Sequence, residues 1–149
     1  MRNDVKAPLY IQYAALPWRK NEGALEILLI TTLTTARWIV PKGWPIDGLS
    51  PSASAAQEAL EEAGIGGAIA AHPLGAYSYK KMRKSGELIT CKVDVFPLEV
   101  KTQKRTWAEK STRQFVWLPA TTTPKRSSSR PRGGAIMRAL IRFSSDSVR

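Results

Sequence analysis

Residues 51 to 63 carry start and stop signals that leave little room for anything but a helix. Ser50 offers a hydroxyl to the orphan N–H groups of a first turn, and Pro51 suits the first helical position. Gly64 suits the left-handed residue that closes a helix. Strand-type sequence lies on both sides. "YIQYAAL" (10 to 16) and "LEILLITTL" (25 to 33) are rich in β-branched and aromatic residues, and "NEG" (21 to 23) supplies the turn between them. "RWIV" predicts a short third strand stopped by Pro41. "GAYSYKKM", "ELITCKVDVFPLEV" and "RQFVWL" predict three more. In the second of these, Ile89, Cys91, Val93 and Val95 face one way, and Thr90, Lys92 and Asp94 the other. Pro97 marks an edge or a bulge there. A further helix is expected from about Ala135, with Ile136, Ala139, Leu140 and Phe143 on one stripe.

A chain of 149 residues with 43% hydrophobic and 23% charged content fits a single soluble domain with a real core. No apolar run approaches the roughly 20 residues that span a bilayer, so no membrane partner is expected. The first residues contain no apolar signal core, and Cys91 is the single cysteine. A reducing, cytoplasmic setting is the expectation. The net charge of +11 invites a nucleic-acid reading, but its distribution argues against one. Residues 120 to 149 hold seven bases and one acid, whereas residues 43 to 79 hold Asp47, Glu58, Glu61 and Glu62 and no base. The segment 120 to 134, rich in Ser, Thr, Pro and Arg, reads as a low-complexity basic loop.

The predicted helix gathers three of those acids. At 100° per residue, Ala56, Ala59, Leu60 and Ala63 form a small-residue stripe suited to packing on a sheet, and Glu58, Glu61 and Glu62 fall nearly opposite. Like charges one turn apart repel by a few tenths of a kcal/mol (about) per exposed pair. Solvated faces commonly interleave Lys or Arg at i+4, and this one has none. A hard divalent cation would turn the repulsion into binding. The helix alone leaves a solvated face and a metal site both open. Upstream, Gly43 follows a strand and a Pro-Lys pair, where backbone can approach a ligand and offer a carbonyl.

The segment from Gly43 to Ile65 resembles the signature of the Nudix hydrolases. In words that signature is Gly, five residues, Glu, seven residues, Arg-Glu, aliphatic, any, Glu-Glu, any, Gly, aliphatic. Gly43, Glu58, Glu61, Glu62, Gly64 and Ile65 fall on it without a gap. Leu49 stands where the family has its first Glu, and Gln57 where it has Arg. The resemblance implies that this pair braces the loop against the helix, so losing both members points to a rebuilt brace. "ALPWR", "RWIVPKGWP", "GAYSYKK", "VDVFPLEV" and "WAEKSTRQFVW" resemble the branch of diphosphoinositol polyphosphate and dinucleoside polyphosphate hydrolases. That similarity runs from about residue 10 to 118 and departs at Leu33, where relatives often carry arginine, and at 120 to 134.

The resemblance implies an α+β fold, an α-β-α sandwich in which a mixed sheet lies between the catalytic helix and a C-terminal helix, with residues 1 to 149 as one domain. It implies hydrolysis of a phosphoanhydride supported by Mg²⁺ or Mn²⁺. The Gly43 carbonyl, Glu58, Glu61 and Glu62 are the implied metal ligands, with Glu58 or Glu62 as base. Glu109 is a further candidate carboxylate. The expected partner is a densely anionic small molecule. Arg37, Lys42, Lys80 and Lys81 are the expected contacts, with Arg83 and Lys84 nearby. A solvated hairpin tip is the competing reading of "KKMRK". Trp44 either covers a ring of the ligand or packs the loop. His72 and Cys91 are expected to carry no catalytic role. Two rivals remain: a Nudix-fold module that binds a polyanion without turnover, and an RNA-directed role driven by the basic tail.

Overall fold

The computed structural model describes residues 8–33 and 36–120. The basic segment beyond residue 120 and the helix expected near Ala135 lie outside the described residues.

β1 (Leu9–Asn21) and β2 (Ala24–Thr31) form a hairpin turned by Glu22 and Gly23, both at positive φ, where "NEG" was expected to turn the chain. β3 (Trp38–Ile39) and β4 (Lys42–Gly43) are two-residue pairings on β2 and β1. Next come α1 (Pro51–Ala63), β5 (Ile65–Ile69), β6 (Gly75–Met82), β7 (Leu88–Gln103) and β8 (Phe115–Pro119). The eight strands join one sheet whose main path runs β3-β2-β1-β7-β5, with β4 on β1, β6 on β7 and β8 on β2. β1 and β7 run parallel and the other pairs antiparallel, so the sheet is mixed as expected.

The consecutive buried residues of β1 and β2 show that both sheet faces are covered, since successive side chains point to opposite sides. Ala14, Leu16, Ile27, Leu29, Val93 and Val95 form one core layer. Ala15, Leu28, Ile30, Phe96 and Leu98 form the other, which packs against Ala55, Ala59 and Ala63 of α1. The alternation expected along β7 holds: Ile89, Cys91, Val93 and Val95 are buried, while Thr90, Lys92 and Asp94 are half-buried.

Three expectations need correction. Pro97 lies on an interior strand, where its register partner on β1 is Leu16. On the other side of β7 it falls between the stretch paired with β6 (to Val95) and that paired with β5 (from Leu98), so its missing N–H breaks no ladder there. β5, "IGGAI", was not expected as a strand. It holds because Gly67 lets the backbones close: a Cβ there would lie 1.9 Å from the Glu99 carbonyl oxygen. The buried face of α1 is rotated from the predicted stripe by roughly 85° at 100° per residue. Ser54, Ala55, Ala59, Glu62 and Ala63 are buried, and Ala56 and Leu60 only half-buried. That rotation takes Glu62 out of solvent.

Candidate metal and anion site

β4 brings Lys42 and Gly43 to the middle of β1, opposite Ala14 and Tyr13, and the Ala15 N–H donates to the Pro41 carbonyl (3.0 Å). The loop that follows leads into α1, whose ends match expectation. The Ser50 side chain accepts from the Ala53 N–H, Pro51 opens the helix, and Gly64 closes it at φ 69°. The loop is braced by a device the sequence did not disclose. The fully buried Ser54 hydroxyl accepts from the Ile46 N–H (3.1 Å), and the Leu49 N–H donates to the Ile46 carbonyl (3.0 Å). Leu49 is 44% exposed. Gln57 donates along the helix to Glu61 Oε1 (3.0 Å). The positions that depart from the signature therefore carry no brace, and Ser54 takes over the task.

Glu58 lies against Gly43 so closely that a Cβ at residue 43 would stand 2.4 Å from the Glu58 carboxyl carbon and Oε1. A side chain at 43 would therefore push the Glu58 carboxylate from this position. Gly43→Ala is expected to displace the Glu58 side chain and lower any activity of the site by about a hundredfold, a scale typical of misplaced catalytic groups. Hydrolysis assays with a melting curve as control would check this, and a variant within threefold of the parent would contradict it.

Glu62 is held at both oxygens: Oε1 accepts from the Lys42 N–H (3.0 Å) and Oε2 from Arg113 Nη2 (3.2 Å). The Arg113 guanidinium also donates to Glu109 Oε1 (2.9 Å) and to the Thr31 carbonyl (2.8 Å). Glu109 is brought in by its own N–H, which donates to the Glu61 carbonyl (3.1 Å). Arg113 was not singled out from the sequence. Its one local signal is the i,i+4 spacing from Glu109.

Burial pushes the Glu58 carboxyl up to about 7, reinforced by the charges of Glu61 and Glu109 and opposed by Arg113 and Lys42. Burial likewise pushes Glu62 up to about 8. Arg113 and the Lys42 N–H pull it down, and Glu58 and Glu109 push it further up. Burial outweighs the ion pair at Glu62.

Both groups bind protons in the folded state at pH values where the unfolded chain, near 4.5, has lost them. Their contribution to stability is therefore full below about 4.5 and is lost as pH rises through about 7 and 8. In EDTA, the melting temperature of Glu62→Gln relative to the parent is expected to climb as pH rises across that window. A flat difference would contradict the raised Glu62 pKa.

The donor chemistry fits a hard divalent cation: carboxylates and a backbone carbonyl. Glu58 and Glu62, with the Gly43 carbonyl, are the residues that would hold it. The fit has a limit. Among the described residues, no three His, Cys, Asp or Glu side chains gather closely enough to form a metal cluster. Glu61 is engaged by Gln57.

A cavity of about 630 Å³ opens beside Glu62, and its described walls include Lys42, Lys80, Lys81, Lys84 and Arg113. Five cations against one carboxylate give it a positively charged lining. Lys42, Lys80 and Lys81 thus stand together as expected, with Lys80 Nζ donating to the Thr90 hydroxyl (2.6 Å). Arg37 does not join them. It is exposed in the connection between β2 and β3, tied through its backbone to Thr32, and is not among the cavity's described walls. Leu33, 59% exposed, is. Trp44 packs edge-on to Tyr10 at 6.1 Å, with Arg83 over the other ring at 4.5 Å. His72 is exposed between β5 and β6, and Cys91 is fully buried.

No protein-family model matches the chain. Over 102 residues it is 32% identical to Nudix hydrolase 13, mitochondrial, of Arabidopsis thaliana, a match covering 65% of this chain and 50% of that protein. The chain spans about half the length of the curated relatives it matches. Among solved structures, a C. elegans Ap4A hydrolase superposes with a TM-score of 0.62 at 18% identity, over 93% of this chain and 98% of that one. A MutT protein from Methanosarcina mazei Go1 does so with a TM-score of 0.67 at 16% identity, over 98% and 100%. The fold is that of the Nudix proteins, and the curated relatives matched over part of their length are Nudix hydrolases.

Proposed function

We propose that this protein hydrolyses a phosphoanhydride bond in a densely anionic small molecule, with Mg²⁺ or Mn²⁺ held by Glu58, Glu62 and the Gly43 carbonyl and with Glu61 nearby. The observation that carries the reading is the juxtaposition of two unlike environments around Glu62. On one side stand carboxylates at elevated pKa, and on the other a cavity walled by Lys42, Lys80, Lys81, Lys84 and Arg113. A bound divalent ion would neutralise phosphate oxygens and acidify a water. The cavity cations bind the remaining phosphate charge, Lys as point charges and Arg as a planar fork. Glu62 is clamped by the Lys42 N–H and Arg113, which suits a fixed ligand. Glu58 or Glu62 takes the proton of the attacking water.

Diphosphoinositol polyphosphates, dinucleoside polyphosphates and related nucleoside diphosphate derivatives all carry the required diphosphate. The name of the C. elegans neighbour is a reason to include the dinucleoside class. The test is a hydrolysis screen over diphosphoinositol polyphosphates, dinucleoside polyphosphates, ADP-ribose and nucleoside triphosphates with Mg²⁺ or Mn²⁺. Metal-dependent release of phosphate or a nucleoside monophosphate from at least one class is expected. Tight binding without turnover of any would replace the enzyme with a polyanion-binding module.

A further inference from the structure

The cavity's Lys42 is tethered from below. Its Nζ donates to the Tyr79 hydroxyl (2.8 Å) and to Gln12 Oε1 (3.2 Å), and the Tyr79 hydroxyl donates to the same Gln12 oxygen (2.7 Å). The three groups close a ring of hydrogen bonds contributed by β1, β4 and β6. Gln12 is 3% exposed, a buried amide in a strand whose neighbouring residues are mostly apolar. The ammonium also lies 4.8 Å from the Tyr79 ring centroid. The Lys42 backbone is fixed as well, since its N–H is the donor to Glu62 Oε1. One residue therefore ties the carboxylate side of the site to the anion side.

We propose that Gln12 and Tyr79 are positioning residues that hold the Lys42 ammonium in place for the anion, so that charge binds at a set distance from Glu62. This rests on reading the cavity as the substrate's anion site. A free lysine must give up rotamer freedom when it grips a phosphate, and one held in advance loses less on binding. Gln12 and Tyr79 supply neutral oxygens that suit an ammonium and add no opposing charge of their own.

The test is a double-mutant cycle read by calorimetric binding of inorganic tripolyphosphate in EDTA, where no hydrolysis intervenes. Lys42→Met is expected to weaken binding about tenfold, the scale of a hydrogen bond to a charged group. Tyr79→Phe keeps the ring and removes the hydroxyl, and is expected to weaken binding about fivefold. Adding Tyr79→Phe to Lys42→Met should then cost nothing further, because its effect passes through the ammonium. Gln12→Leu should behave like Tyr79→Phe, and melting curves exclude variants that fail to fold.

If Tyr79→Phe weakens binding equally with and without Lys42, or has no effect while Lys42→Met does, the positioning role is overturned and the anion site stands. If Lys42→Met itself leaves tripolyphosphate binding unchanged, the anion-site reading fails at this residue and the proposal falls with it.

Discussion

Glu62→Gln is expected to lower anhydride hydrolysis by about a thousandfold while the protein stays folded. The substitution keeps shape and removes charge. The amide oxygen can still accept from the Lys42 N–H that now reaches Oε1 at 3.0 Å, so the helix and β4 stay joined. What is lost is one of the two carboxylates proposed to grip a dication beside Gly43. Folding does not depend on that charge. Burial pushes the group up to about 8, so near neutrality the fold already tolerates a neutral side chain there. Steady-state kinetics at saturating Mg²⁺ with a parallel melting curve would check the claim. A loss of less than tenfold would remove Glu62 from the site.

Arg113→Ala is expected to act on stability as much as on activity. The guanidinium is 10% exposed and serves Glu62, Glu109 and the Thr31 carbonyl together. Removing it leaves oxygens of Glu62 and Glu109 and the Thr31 carbonyl without their donor, at a cost of about 3 kcal/mol, the scale for buried polar groups left unsatisfied. It also deprives the cavity of its planar cation. Urea unfolding in EDTA should show the loss directly. Arg113→Lys should recover only part of it, because a point charge cannot make three diverging bonds. Saturating Mg²⁺ should restore more stability to Arg113→Ala than to the parent, since the repulsion left behind is what a dication relieves. A loss below about 1 kcal/mol for Arg113→Ala, no larger than an exposed pair, would contradict the bridging role.

What the sequence disclosed follows from how local each signal is. α1 was legible to the residue because Ser50, Pro51 and Gly64 act within one turn of it. Its orientation was not. Composition favoured burying the stripe of Ala56, Ala59, Leu60 and Ala63, but partners far along the chain turned Glu62 inward. Arg113 is 51 residues from Glu62, and no local pattern announces such a pairing. The same holds for Gln12 and Tyr79, separated by 67 residues. β5 was missed because two glycines hide its strand character, and its existence depends on the edge that β7 offers. The departures at Leu49 and Gln57 were visible at once, but Ser54 as the replacement brace required the fold. Lys42, Lys80 and Lys81 were read as substrate contacts and do line one cavity, whereas Arg37 belongs to a turn whose course the strand pattern does not set.

The central claim is that Glu58, Glu62 and the Gly43 carbonyl together hold a divalent cation. Crystals soaked in Mn²⁺ and measured at an energy where manganese scatters anomalously test it directly. A peak within coordination distance of both carboxylates and the carbonyl, at about 2.2 Å as hard oxygen ligands require, is the predicted result. No peak there at saturating Mn²⁺, with Arg113 still bonded to Glu62, would contradict it.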